Sequence, residues 1–149
     1  MMSSIRWATL EDMTAMHTLI HELAIYEKAP EEHVVTVDQL KAHFIAQQFE
    51  AIVAEVDNEV VGMLLFYEGY STWKGPFLYI EDFMVTSTHR RKGIGRQLFE
   101  KAIGIATERG CSFAKWQVLD WNTPAIAFYE QFPIHKDTTW VDCKYFLKR

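Results

Sequence analysis

Three β-rich segments in succession, cut by turn residues and followed at once by a glycine-marked helix, constrain this fold most. Residues 50–56 and 59–70 flank Asp57-Asn58, and such a pair between two apolar runs reads as a tight hairpin. Gly75-Pro76 marks a second turn before a third long strand over 77–86. Gly93 and Gly95 then open a segment in which Ile94, Leu98, Ala102 and Ala106 recur every four residues, the spacing of one helix face. Arg109-Gly110 closes it as a helix C-terminus should.

The remaining elements fit around this frame. Residues 5–8 read as a short first strand. Thr9-Leu10-Glu11-Asp12 matches a capping box with Asp12 in place of the usual Glu, and Met13, Met16, Ile20 and Leu23 follow at helical spacing. A polar break over 28–33 leads to Thr36 and a shorter helix through about Gln47. Residues 112–119 are strand-like. Asn122-Thr123-Pro124 caps a short helix through Phe132, with Pro124 at its first position, and 140–147 reads as a last strand. The order β-α-α-β-β-β-α-β-α-β is a mixed α/β layer. With 149 residues and no repeat, low-complexity tract or Pro/Gly/Ser linker, a single domain over 1–149 is expected.

Charge and cysteine usage narrow the class. The formal net charge is -5, from 15 basic and 20 acidic residues, which disfavours a dedicated nucleic-acid surface and suits a cationic small substrate. Cys111 and Cys143 lie apart with no CxxC pair, and read as thiols of a reducing compartment. Residues 60–67 form the longest apolar run, far short of a membrane span. A cytoplasmic protein with neither membrane nor nucleic-acid partner is expected. His17 and His21 are four apart on the first helix. Without an HExxH motif or a third ligand they predict no metal site.

The stretch Thr88-His89-Arg90-Arg91-Lys92-Gly93-Ile94-Gly95-Arg96 is the most informative. It joins a strand to a helix, where main-chain N–H groups lack partners and the helix dipole favours an anion. Glycine permits close approach of a phosphate, and four basic side chains add Coulombic attraction. The alternative is a glycine-relieved turn beneath a solvated basic cluster. No GxxxxGK[ST] exists, and no GxGxxG lies near the N-terminus, which sets aside Walker-type and Rossmann sites.

With Arg90, Gly93 and Gly95 in the order Arg-x-x-Gly-x-Gly, the chain resembles the GNAT superfamily of N-acetyltransferases, and 122–129 (Asn-Thr-Pro-Ala-Ile-Ala-Phe-Tyr) resembles that family's downstream element. Residues 78–85 (Leu-Tyr-Ile-Glu-Asp-Phe-Met-Val), 22–27 (Glu-Leu-Ala-Ile-Tyr-Glu) and Trp121-Asn122 are most similar to the spermidine/spermine and thialysine acetyltransferase group. The resemblance implies a mostly antiparallel central sheet flanked by about four helices, acetyl-CoA as acetyl donor, and a homodimer. It places the pantetheine arm on Phe83, Met84 and Val85, and the pyrophosphate at Arg90, Arg91, Lys92, Gly93, Ile94, Gly95 and Arg96. Asn122 and Ala125 then border the arm from the other side. Amine contacts fall to Tyr26, Glu27, Glu81, Asp82, Lys115, Trp116 and Gln117.

Acetyl transfer to an amine needs a neutral nucleophile and a proton for the departing thiolate. An alkylammonium near pKa 10 must first lose its proton, and Glu81 is the expected acceptor. On a regular strand it would share a face with Tyr79 and Phe83, with Asp82 opposite. Tyr129 is the expected general acid, where the bland reading is a core tyrosine at helical spacing from Ala125. Some departures bear on the substrate. Ser71 and Thr138 stand where the polyamine enzymes carry acids ahead of Trp73 and Trp140, and Pro133 replaces a glycine. A polyamine, a diamine, a thialysine-like amino acid or another primary amine therefore stays open. A non-catalytic acyl-CoA-binding module and a protein N-acetyltransferase are the rival readings.

Overall fold

A computed structural model describes residues 3–148 of the chain. They fall into two compact units, one ending at Gln117 and one beginning at Val118. The first holds β1 (Ser3–Trp7), α1 (Met13–Tyr26), α2 (Val37–Ile45), β2 (Glu50–Val56), β3 (Glu59–Ser71), β4 (Gly75–Val85), α3 (Ile94–Glu108) and β5 (Ala114–Lys115). The strands form one sheet in the order β1-β2-β3-β4-β5. Pairing is antiparallel from β1 to β4 and parallel between β4 and β5, since a helical crossover returns the chain in the same direction.

The expected turn chemistry is present. Asp57 and Asn58 take φ of 51° and 66°, the left-handed pair that a two-residue hairpin demands and short polar side chains tolerate. The Thr9–Asp12 capping box forms, with the Thr9 N–H donating to Asp12 Oδ2 at 2.7 Å. It opens a 3-10 turn, Leu10–Asp12, that runs into α1. Thr36 caps α2 in the same way, reciprocated by Gln39.

Strand alternation sorts the core into two sides. Ala51, Val53, Met63, Leu65 and Met84 pack with Met13, Met16 and Leu19 of α1 and Leu40 of α2. On the other side, α3 buries Ile94, Leu98, Phe99, Ala102, Ile105 and Ala106. The close approach of α3 is fixed at Gly62, where a Cβ would sit 3.2 Å from both Leu98 Cδ1 and the Met84 carbonyl oxygen. At the end of α3, Arg109 reaches Glu50 at 2.6 Å and Glu68 at 2.8 Å, tying the helix to β2 and β3.

The second unit contains α4 (Thr123–Tyr129). Four expectations need correction. β5 is two residues long rather than 112–119, and as an edge strand it has a ladder partner on one side only. Residues 140–147 form no strand among the described residues, because β-forming side chains without a paired backbone do not make one. The last helix ends at Tyr129, not Phe132, and Pro124 is its second residue behind Thr123.

Candidate active site

Two neighbouring features of the first unit carry chemistry: a basic loop at the start of α3 and a set of carboxylates where β4 meets α1. The loop begins beyond β4 with a 3-10 turn, Ser87–His89, and reaches α3 through Arg91 and Gly93, whose φ are 64° and 79°. A Cβ at Gly93 would meet nothing within 4 Å, so the backbone conformation, not crowding, asks for glycine there. The first intrahelical bond runs from Gln97 N–H to the Gly93 carbonyl at 3.1 Å. The helix therefore offers no acceptor to the amides of Ile94 and Gly95, which lie at its positive end. Exposed Arg91 and Lys92 flank them. The set fits an anionic diphosphate.

Arg90 is engaged elsewhere. Its Nε donates to the Val85 carbonyl at 2.9 Å and its guanidinium carbon lies 5.5 Å from the centre of the Tyr26 ring. Arg96 forms an exposed ion pair with Glu100 at 3.3 Å. β4 pairs with β5 only at Leu78 and Tyr79. Beyond that point the sheet ladder on this edge stops, and residues 81–85 carry main-chain groups along it. Phe83 stacks on Phe99 at 6.1 Å and Met84 is buried in the core.

The carboxylates are arranged by a β-bulge. In the β3–β4 register Phe66 pairs with Ile80 and Leu65 with Asp82, so Glu81 is the extra residue. A bulge breaks the two-residue alternation, and this overturns the expected facing. Glu81 is exposed and accepts a hydrogen bond from the Tyr67 hydroxyl at 3.1 Å, beside Tyr79 stacked on Tyr67 at 5.2 Å. Phe83 has turned to the α3 side, while Asp82 pairs in register with Leu65, whose side chain lies in the α1 core.

Burial, then the neighbouring charges of Glu81 and Glu27, pushes the Asp82 carboxyl up to about 7. Burial raises Glu27 above the usual carboxylate range. Burial and then Glu81 push the Tyr67 phenol up to about 12. A cation entering here would relieve all three.

Of the expected amine contacts, the structure thus groups Glu27, Glu81 and Asp82, with Tyr26 next to Glu27 on the last turn of α1. Lys115 and Gln117 are exposed near β5, and Trp116 stands edge-on to Phe99 at 5.3 Å. In the second unit, buried Asn122 caps α4 through Oδ1, which accepts the Ala125 N–H at 3.3 Å. Tyr129 is the last residue of that helix, half-buried and edge-on to Phe128 at 5.5 Å. Sequence reasoning missed Tyr67, although the hairpin register that sets it across from Tyr79 was its signal. It also missed His33, whose Nδ1 lies 3.0 Å from that of His21. Among the described residues no group of three or more His, Cys, Asp or Glu is placed to hold a metal ion.

The model of the Acetyltransferase (GNAT) family matches residues 10–132. The chain is 38% identical over 113 residues to the thialysine N-epsilon-acetyltransferase of Caenorhabditis elegans, covering 76% of this chain and 71% of the relative. It is 35% identical to the Bos taurus protein of the same name, covering 85% and 80%. Among solved structures, an acetyltransferase-like protein from Clostridium difficile 630, described as a possible acetyltransferase, superposes with a TM-score of 0.83 over 100% of both chains at 24% identity. The chain is an N-acetyltransferase and belongs to the acetyltransferase (GNAT) family.

Proposed function

We propose that this enzyme moves the acetyl group of acetyl-CoA to a primary amine of a small cationic substrate by direct attack in a ternary complex. The carboxylates Glu27, Glu81 and Asp82 carry the reading: Asp82 and Glu27 are desolvated and lie beside exposed Glu81, and acids crowded in this way are stabilised by an ammonium. The relatives named for thialysine point to an amine of amino-acid size. Ser71 and Thr138, in place of acids, leave fewer anions for a long polycation such as a polyamine.

Acetyl-CoA supplies an activated thioester. Its diphosphate would be held by the amides of Ile94 and Gly95 and by Arg91 and Lys92, with residues 83–85 offering main-chain groups to the arm. Glu81, the exposed member of the cluster, takes the ammonium proton through water. The freed nitrogen forms a bond to the thioester carbon, the carbon–sulfur bond breaks, the Tyr129 phenol gives its proton to the thiolate, and the remaining extra proton on the acylated nitrogen passes through water to restore the phenol. The resemblance over 122–129, which lies within the family match, supports Tyr129 and the Asn122–Ala125 border. The family match, which runs from 10 to 132 across the two units, supports reading 1–149 as one domain.

The free thiols of Cys111 and Cys143 support a reducing, cytoplasmic setting. No helix among the described residues is long and apolar enough to cross a membrane. Large apolar side chains exposed over 140–147, with Trp140 74% and Tyr145 90% accessible, support a homodimer.

The test is release of free thiol from acetyl-CoA across thialysine, lysine analogues, diamines, polyamines, aminoglycosides and peptides. Turnover with a small primary amine is expected, with thialysine preferred over spermine. Coenzyme A binding without thiol release for any amine would favour a non-catalytic acyl-CoA module. Release with peptides alone would favour a protein acetyltransferase.

A further inference from the structure

The α1 face that bears Tyr26 makes a second contact with the loop after β4. Glu22, one helical turn before Tyr26, accepts hydrogen bonds from the Thr86 hydroxyl at 3.2 Å to each carboxylate oxygen, and from the Ser87 N–H at 3.4 Å. Thr86 also continues the β3 ladder, its N–H donating to the Val61 carbonyl at 2.8 Å. From the other end of the same segment, Arg90 returns to α1 over the Tyr26 ring while its Nε holds the Val85 carbonyl. Residues i and i+4 share a helix face. One face of α1 therefore grips the segment 85–90 at both ends, directly before the phosphate-binding amides and directly beside Glu27.

We infer that Glu22 is a positioning residue which, together with Arg90, couples the diphosphate loop to the amine-binding end of α1. A diphosphate on Arg91, Lys92 and the α3 amides fixes the segment preceding them. Through Thr86, Ser87 and Arg90 that order passes to the turn carrying Tyr26 and Glu27. Coupling of this kind is reciprocal: coenzyme A tightens the amine by the same factor as the amine tightens coenzyme A. The acidic cluster is then assembled when the donor is in place. This inference rests on the loop being the site of the diphosphate, and not on acetyl transfer itself.

Amide hydrogen exchange over residues 22–29, with and without saturating coenzyme A, tests it in the full chain. In the wild type, coenzyme A should slow exchange there by about threefold or more. Glu22→Ala should abolish that slowing while coenzyme A still binds. Glu22→Gln should restore most of it, since its amide oxygen can still accept from Thr86 and Ser87. Should Glu22→Ala fail to fold, Thr86→Val removes the donor instead and should act alike.

In turnover, Glu22→Ala should raise the amine KM about five- to twentyfold with a smaller change in kcat. Exchange at 22–29 that ignores coenzyme A in the wild type would overturn the coupling. So would slowing in Glu22→Ala equal to the wild type. Slowed exchange without thiol release from any amine would sink the transfer reading and leave the coupling standing.

Discussion

Asp82 and Glu81 are adjacent in sequence, yet the bulge gives them different surroundings. Asp82 is desolvated and sits near Glu27 and Glu81, so its carboxyl stays partly protonated near neutrality, at about 7. Below that pH it is neutral and holds an ammonium poorly; above it the charge is present. The amine KM of the wild type should therefore fall as pH rises through about 7. Asp82→Asn should give a higher KM without that inflection, and a retained inflection would assign it to another group.

Glu81→Gln should instead flatten the rise of kcat with pH, because it removes the acceptor of the amine proton. Tyr129→Phe should lower kcat by roughly 100- to 10,000-fold, the usual range for a positioned general acid, and leave acetyl-CoA affinity nearly intact. Unchanged turnover would remove Tyr129 from the chemistry.

At the scale of elements, the junction of β1 with α1 depends on one buried acid. Asp12 is 7% accessible and takes 2.8 and 3.0 Å hydrogen bonds from Arg6. The Arg6 side chain, then the Thr9 amide, hold the carboxyl below its usual range against the opposing effect of burial. A carboxylate with a depressed folded pKa stabilises the protein above its unfolded value. That stability is lost as pH falls from about 4 toward the folded pKa. Asp12→Asn should cost about 1–3 kcal/mol at pH 7, read by urea denaturation, and should shrink the difference from wild type in acid.

Local rules made this level legible. The Thr9 and Thr36 caps, the Asp57-Asn58 turn and the apolar stripe of α3 each follow from a few neighbouring residues. The bulge at Glu81 did not announce itself, because it depends on how β3 and β4 register, a non-local choice. β5 failed the reading for a related reason: 112–119 has strand chemistry, but an edge position pairs only two of those residues.

Across the whole molecule, charge is divided by place. An acidic chain of net -5 collects Arg91 and Lys92 beside the amides that open α3, while its desolvated acids gather where α1 meets β4. On the proposed reading, an anionic donor and a cationic acceptor would be drawn to different places on one sheet edge and its flanking helix. The turn at 90–95 was readable because a left-handed backbone at the start of a helix leaves a glycine signature, here Gly93 at φ 79°. The proposed amine site was readable only by resemblance, since carboxylates meeting from α1 and β4 have no spacing of their own. The exposed apolar side chains over 140–147 predict a dimer by sedimentation velocity at micromolar concentration. A monomer throughout would require those side chains to stay in water.

On the proposed reading, the main-chain amides opening α3 hold a diphosphate. Calorimetric titration with acetyl-CoA and with S-acetylpantetheine, which carries the same thioester without the diphosphate, tests it most directly. Saturable binding of acetyl-CoA, at least tenfold tighter than S-acetylpantetheine, is the predicted result. Equal affinity for the two, or no heat with acetyl-CoA, would contradict it.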